Sequence, residues 1–399
     1  MPWLPVCHHA QRQYLRLMKV NVLFDSQCFD MQLFGGVSRC FAELYSHLPA
    51  DIAATIGVRG THNVYLPPIL ERRYKAAHPW PGSGLWWRLC RSEAFWLHSW
   101  RTLNPAYSRR LVARGGFDVF HPTYFDPYFL PLLGDRPFVV TIHDMIPERL
   151  PALFPGAAEE CAAKRLMAHR AARIIAVSEA TRDDVIELLG VPPERVSVIY
   201  HGTSASDNPP MAGRPIEAPY LLYVGARDAY KRFREFVAAA VPVLRGQPSL
   251  KILCTGSRFS PSELAYFDDL GVADRMVHRF METDEALLGC HRHAVAFVYP
   301  SGIEGFGIPI LEAYRAGCPV MLADTKCFRE VAGDAAIYFD PTLPPAAPAG
   351  FATAFDRLMA LGADGRQALL ECQRARLARY DWQRSAQQLA GIYHEVAGK

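Results

Sequence analysis

No apolar run in this chain reaches the ~18 residues that a membrane-spanning helix needs, so the sequence predicts no such segment. Its ten cysteines are scattered, with no C-x-x-C pair and no histidine cluster at zinc spacing. That excludes a zinc module. In a chain this large a disulfide framework is not expected, so the thiols read as reduced and the protein as cytoplasmic. The fingerprint G-x-G-x-x-G is missing, which disfavours a Rossmann oxidoreductase. No period of 20–50 residues repeats, which disfavours a solenoid. An excess of one charge is lacking too: the net charge is +3, and the total makes no case for nucleic acid. Residues 1–17 lack the apolar core and small-residue cleavage site of a secretory signal. They read as an unstructured basic extension, with Met18 a second candidate start of translation. Lysine is scarce, with seven against thirty-six arginines.

What the chain does contain is a globular composition, half apolar and a fifth charged, over 399 residues, which fits two domains better than one core. Short apolar or β-branched runs predict strands at 20–24, 53–58, 119–121, 138–142, 173–177, 196–199, 220–224, 251–255, 276–279, 296–299, 319–323 and 336–339. Helical patterns lie between them, among others at 157–171, 179–188, 233–244 and 309–316. Such alternation predicts an α/β fold with parallel sheets covered on both faces. A stretch rich in Pro, Ser, Asn and Gly at 202–219 reads as the linker between two doubly wound, Rossmann-like domains. Ligands in such sheets bind at the carboxyl ends of strands, and two facing domains would place those ends across one cleft. The expected organisation is an N-terminal extension at 1–17, a first domain at 18–205, a linker at 206–219 and a second domain at 220–380. An amphipathic helix at 381–399 follows, with Trp382, Leu389, Ile392 and Tyr393 on its apolar side.

The stretch from Ser301 to Gly317 reads SGIEGFGIPILEAYRAG. It sets Glu304 in a loop and Glu312 on the helix that follows, with Pro309 suited to the first turn and Gly317 to the position past the end. Gly305 and Gly307 let the backbone come close to a ligand, and the free N–H groups of the first turn attract an anion. A glycine-lined helix start between two acids suits a ligand with phosphates at one end and hydroxyls at the other, such as a nucleotide sugar. Arg227 and Lys231 follow the strand at 220–224. A guanidinium fork and a point charge suit a diphosphate leaving group. His143, in the run TIHDMIP, falls at the end of the strand at 138–142, while Asp144 reads as the cap of the next turn.

These motifs resemble glycosyltransferase family 4. The Glu304-to-Glu312 spacing matches its Glu-x7-Glu motif, and the preceding Pro-Ser and the enclosed Gly-Phe-Gly match as well. The resemblance covers nearly all of residues 18–396. It implies the GT-B architecture, two Rossmann-like domains facing a cleft, with the last helix crossing back to the first domain. It implies a retaining, metal-independent transferase that needs no cofactor beyond its nucleotide-sugar donor; no D-x-D metal site is needed. By resemblance, Arg227, Lys231 and the helix start at Gly305, Phe306 and Gly307 take the donor diphosphate. Glu304 holds hydroxyls of the donor sugar, Glu312 the ribose, and His143 faces the sugar from the first domain. Gly35 and Gly36 resemble the family's glycine-rich loop, whose backbone approaches phosphate or acceptor.

The TIHDMIPE run and the Tyr230-Lys231 loop are most similar to bacterial mannosyltransferases of surface polysaccharide assembly, which implies GDP-mannose as donor. Members of that kind often carry Asn where this chain has Arg232, a departure from the pattern. The implied acceptor is a glycan on a lipid carrier or a lipopolysaccharide precursor. Residues 84–104 hold four of the seven tryptophans, interleaved with Arg88, Arg91 and Arg101. One reading places them at the inner membrane as a peripheral contact; the other packs them on the first domain. Two alternatives to a mannosyltransferase stay open: a non-catalytic partner of the same fold, and the same chemistry with a UDP-sugar.

Overall fold

The computed structural model describes residues 19–66, 100–203, 213–281 and 283–398. The aromatic segment at 84–104 therefore lies almost wholly outside the described residues, as does the extension at 1–17. The chain divides into two units. One comprises the residues up to Val177, Thr181–Gly202 and everything from Trp382 onward; the other comprises Ser178–Ala180 and Thr203–Asp381.

The first unit holds β1 (Val20–Phe24), β2 (Ile52–Ile56), β3 (Val119–His121), β4 (Val139–Ile142), β5 (Arg173–Ala176) and β6 (Val196–Val198). They form two three-stranded parallel sheets, β2-β1-β3 and β4-β5-β6. A parallel bridge between Phe120 and Phe138 joins the two, so the strands run in the order 2-1-3-4-5-6. Helices α1 (Gly36–His47), α2 (Trp100–Arg114), α3 (Ala158–Arg170) and α4 (Glu179–Leu189) lie between strands in the chain. The second unit is one six-stranded parallel sheet, ordered β12-β11-β10-β7-β8-β9. Its strands are β7 (Tyr220–Tyr223), β8 (Lys251–Cys254), β9 (Met276–His278), β10 (Ala296–Tyr299), β11 (Val320–Ala323) and β12 (Ile337–Phe339). The helices here are α5 (Phe233–Gly246), α6 (Pro261–Asp269), α7 (Asp284–His293), α8 (Ile308–Ala316), α9 (Lys326–Ala332), α10 (Phe351–Met359) and α11 (Gly362–Leu377).

Each of the twelve expected strands is found within a residue or two of its predicted bounds. Strands buried on both faces are continuous apolar runs such as AFVY and VMLA, because parallel sheets carry helices on either side. The last helix, α12 (Trp382–Ala397), belongs to the first unit. There Trp382, Leu389, Ile392 and Tyr393 join β1, β2 and α1 in one core. Its Tyr393 hydroxyl lies 2.6 Å from His121 Nδ1 at the end of β3, and His121 Nε2 meets Thr141 Oγ1 at 2.9 Å.

Strand order reverses once in each unit. In the second unit the reversal lies between β7 and β10, which are hydrogen-bonded neighbours although far apart in sequence. Loops leaving the carboxyl ends of two such strands diverge to opposite faces and leave a crevice, the usual ligand position in an open α/β sheet.

Candidate active site

The loops that leave β7 and β10 carry Arg227, Lys231 and Glu304. Lys231 Nζ donates to Glu304 Oε1 at 2.5 Å, with the two side chains only 14% and 11% exposed. Aromatic rings flank the ammonium, 4.9 Å from the Tyr230 centroid and 5.7 Å from that of Tyr299. Burial works to lower the pKa of Lys231, but the Glu304 carboxylate and Tyr230 together outweigh it, and the net direction is upward. Burial, with Glu304 beside it, pushes the Tyr299 phenol far up, so that ring stays neutral. The Gly302 N–H donates to the Tyr230 carbonyl at 2.9 Å, tying the two loops together.

Arg227 is committed more fully than a free fork. Its Nε donates to Glu263 Oε1 at 2.5 Å and its Nη2 to Glu263 Oε2 and to the carbonyls of Ser257 and Arg258. Phe233 and Phe259 lie against it. The bidentate grip expected for a diphosphate is thus spent on Glu263, and only Nη1 is left, buried and without a partner. Burial tends to raise the Glu263 carboxyl, but the Arg227 guanidinium and the Ser260 N–H prevail and hold it below its ordinary range. Glu263 also closes the capping box of α6, with Ser260 Oγ accepting from the Glu263 N–H. The Ser-x-x-Glu signature was there to be read at 260–263, but nothing in it points to an arginine 36 residues upstream.

Glu304 and Glu312 straddle the start of α8 as expected. Gly307 caps that helix with φ of 99°, which only glycine adopts freely, and a Cβ there would also press on Ile310 and Phe328 at 3.1 and 3.2 Å. Gly317 ends the helix in the left-handed region, at φ of 68°. The Phe306 side chain is buried against Tyr380, so only its backbone is left to meet a ligand. Glu312 is half-buried on α8. Ser301 Oγ, at the end of β10, is buried with no partner.

In the first unit His143 follows β4, its Nε2 buried and unpartnered. Burial pulls its pKa down to about 4, Asp144 partly opposing. Asp144 accepts from the Ile146 N–H at 3.0 Å, the turn-capping role. Behind this loop Lys164 forms a buried pair with Glu148 at 3.0 Å and donates to the Asp144 carbonyl. Two of the scarce lysines are therefore buried in ion pairs under candidate loops. Cys40, His143 and His201 bring one donor atom each within 4.8 Å of one another. The two imidazoles lie ring on ring, 6.0 Å apart and 15° from parallel, an arrangement for packing rather than for a shared tetrahedral ion. Gly35 and Gly36 open α1, where Gln32 reaches over them. Gln32 Oε1 accepts from the Ser38 N–H at 3.1 Å, and a Cβ on Gly35 would collide with its amide. Sequence reasoning passed over Asp25. It is buried between the ends of β1 and β3 and accepts from the Thr123 N–H at 2.9 Å and hydroxyl at 2.7 Å.

Parallel sheets in two units, with the charged loops at one strand-order reversal, define the GT-B class of glycosyltransferase fold. The crystal structure of Anabaena HepE in complex with UDP and glucose has this fold. The two superpose with a TM-score of 0.64 at 17% identity, covering 94% of this chain and 100% of that one. Sucrose-phosphate synthase of Thermosynechococcus elongatus superposes with a TM-score of 0.61 at 15% identity, over 95% and 99%. Residues 34–207 match the family model Glycosyltransferase Family 4, and residues 218–360 match Glycosyl transferases group 1. The phosphatidyl-myo-inositol mannosyltransferase of Propionibacterium freudenreichii is 30% identical over 311 residues, which are 74% of this chain and 75% of that one. The O-antigen chain mannosyltransferase RfbU of Salmonella typhimurium is 28% identical over 53% of this chain, and the match spans 58% of its own length. The chain belongs to glycosyltransferase family 4.

Proposed function

We propose that this protein transfers a hexose from a nucleotide sugar to a glycan or lipid-linked glycan with retention at the anomeric carbon, and that the donor is GDP-mannose. The observation that carries the reading is the Lys231–Glu304 pair at the β7–β10 reversal, beside the glycine-lined start of α8. A diphosphate leaving group needs positive charge where the bond to the sugar breaks. Lys231, Arg227 Nη1 and the backbone N–H groups of Gly305, Phe306 and Gly307 are assigned as the hydrogen-bond donors that meet the diphosphate, with Gly35 and Gly36 assigned to the same group. On this reading no metal takes part. The second unit is the donor domain and the first the acceptor domain. Glu304 accepts from donor-sugar hydroxyls, Glu312 from ribose hydroxyls, and His143 is assigned to the sugar, where its neutral imidazole can orient a hydroxyl. Mannose is favoured because two of the named relatives are mannosyltransferases by their names. The place of action is the cytoplasmic face of the membrane, in surface polysaccharide assembly.

A second reading keeps the chemistry and exchanges the donor for a UDP-hexose. It is favoured by the UDP-glucose held in the HepE structure. Thermal stabilisation by GDP, UDP, ADP, dTDP and GDP-mannose separates the readings, because a ligand of the folded state raises the melting temperature. A GDP-selective rise supports mannose transfer, and a UDP-selective rise the second reading. No rise with any nucleotide overturns both in favour of a non-catalytic partner.

A further inference from the structure

Among the described residues Arg232 is the one non-glycine residue with positive φ, at 51°. It follows Lys231 directly and precedes α5. An L-residue other than Asn or Asp is strained in that region. A loop under pressure for stability alone would place Asn or Gly here. Arginine at such a point calls for a reason in its side chain.

The side chain lies against Gly302. A Cβ built on Gly302 would come within 2.5 Å of Arg232 Nε and 2.7 Å of its Cζ, so the glycine leaves the guanidinium its seat. Gly302 has no positive φ, so its missing side chain leaves room for the arginine rather than serving its own backbone. No hydrogen bond or ion pair holds the Arg232 guanidinium among the described residues, although it is half-buried.

The charges of these loops give that guanidinium a task. Lys231 is neutralised by Glu304 at 2.5 Å, and Arg227 by Glu263 at the same distance. Asp228, the remaining acid of the loop, is exposed to solvent and screened. The two buried pairs cancel, so a diphosphate meeting only them would find almost no net positive charge. Arg227 Nη1, on a side chain 94% buried, adds a donor that lacks a partner but no charge that Glu263 has not already offset. Arg232 is the cation left over.

We propose that Arg232 is a third cationic contact for the diphosphate of the nucleotide sugar, held in place by a strained backbone and seated on Gly302. The inference rests on the donor site proposed above. It assigns a binding role to the very residue at which this chain departs from its resemblance, and it explains why that departure is tolerated: backbone stability is given up for a charge that the paired Lys231 and Arg227 do not provide.

The test uses the full chain, with isothermal titration of GDP, UDP and inorganic pyrophosphate. Arg232→Asn relieves the backbone and removes the charge. The expected result is a melting temperature equal to or above that of the parent, together with a Kd for the nucleoside diphosphate raised ~10-fold or more, as for loss of a charged hydrogen bond. Gly302→Ala keeps the charge but pushes it off its seat, and should weaken the same ligands. In the Arg232→Asn background Gly302→Ala should add nothing further, since both act on one contact. Unchanged affinity in Arg232→Asn, with affinity lost in Lys231→Ala, overturns this inference and leaves the donor site standing. Unchanged affinity in both variants, or no binding by the parent, overturns the donor site and the inference with it. A lower melting temperature in Arg232→Asn with unchanged affinity makes Arg232 a packing residue of the Gly302 loop.

Discussion

Lys231 and Glu304 hold each other at 2.5 Å, so a donor has to enter between two groups that already satisfy one another. Replacing Lys231 by Met should raise the Kd for the preferred nucleoside diphosphate by about 10- to 100-fold, the worth of a charge-assisted hydrogen bond, as read by calorimetry. Glu304→Gln keeps the volume and most hydrogen bonds but drops the charge. Transfer to acceptor should fall on the order of 100-fold, with the far-ultraviolet circular dichroism spectrum unchanged. A Glu304→Gln enzyme with parental turnover would remove this carboxylate from the reaction. Glu263 acts at one remove, through Arg227. Glu263→Ala strands a buried guanidinium and opens the capping box of α6. Its expected cost is on the order of 3–5 kcal/mol of stability in urea unfolding, mostly from the orphaned charge.

At the scale of the helix, α8 allows two glycines with positive φ to be compared. Gly317→Ala meets open space, so only backbone strain is paid, roughly 1 kcal/mol. Gly307→Ala adds contacts at 3.1 and 3.2 Å to Ile310 and Phe328, and its loss in urea midpoint should be the larger of the two. Equal losses would mean that neither neighbour resists. Gly317 was legible in the sequence, because a helix with proline in its first turn and glycine past its end is a local pattern, whereas Gly307 was read for its approach to a ligand and not as the cap. The strands were legible for the same reason, each being a short apolar run between breakers. What no local pattern carries is pairing across the sheet. That Lys231 bonds Glu304, 73 residues on, or that Arg227 turns to Glu263 follows from strand order, and strand order is set by crossovers rather than by any one segment. The stacking of His143 on His201 was invisible for the same reason.

At the scale of the whole molecule, three buried histidines and the half-buried His143 set the response to acid. Burial lowers His121, His201 and His291 to about 3 and His143 to about 4, against 6.5 for the exposed side chain. Below about pH 6.5 the unfolded chain takes up protons that the folded chain refuses. Stability is therefore complete above that pH and falls as pH drops toward 4, by up to ~1.4 kcal/mol per pH unit for each histidine. The buried Asp25 carboxyl, raised by desolvation, works in the opposite direction. Three of the four histidines, all but His291, belong to the first unit. Urea midpoints measured from pH 7.5 to 4.5 should fall, and the first unit should lose structure at the higher pH. A flat profile across that range would mean the histidines are charged or exposed when folded.

The C-terminal helix α12 completes the core of the unit that the chain begins. Seen from the ribosome, the second unit is a long insertion that is finished before the first one is. The sheet of β1–β6 leaves the exit tunnel early and waits, with the face of α1 and β1 that receives Trp382, Leu389 and Tyr393 still wet, until some 180 further residues have been made. Order of synthesis and order of completion run opposite ways. A released chain truncated just before Trp382 should carry a second unit resistant to protease and a first unit still open to it.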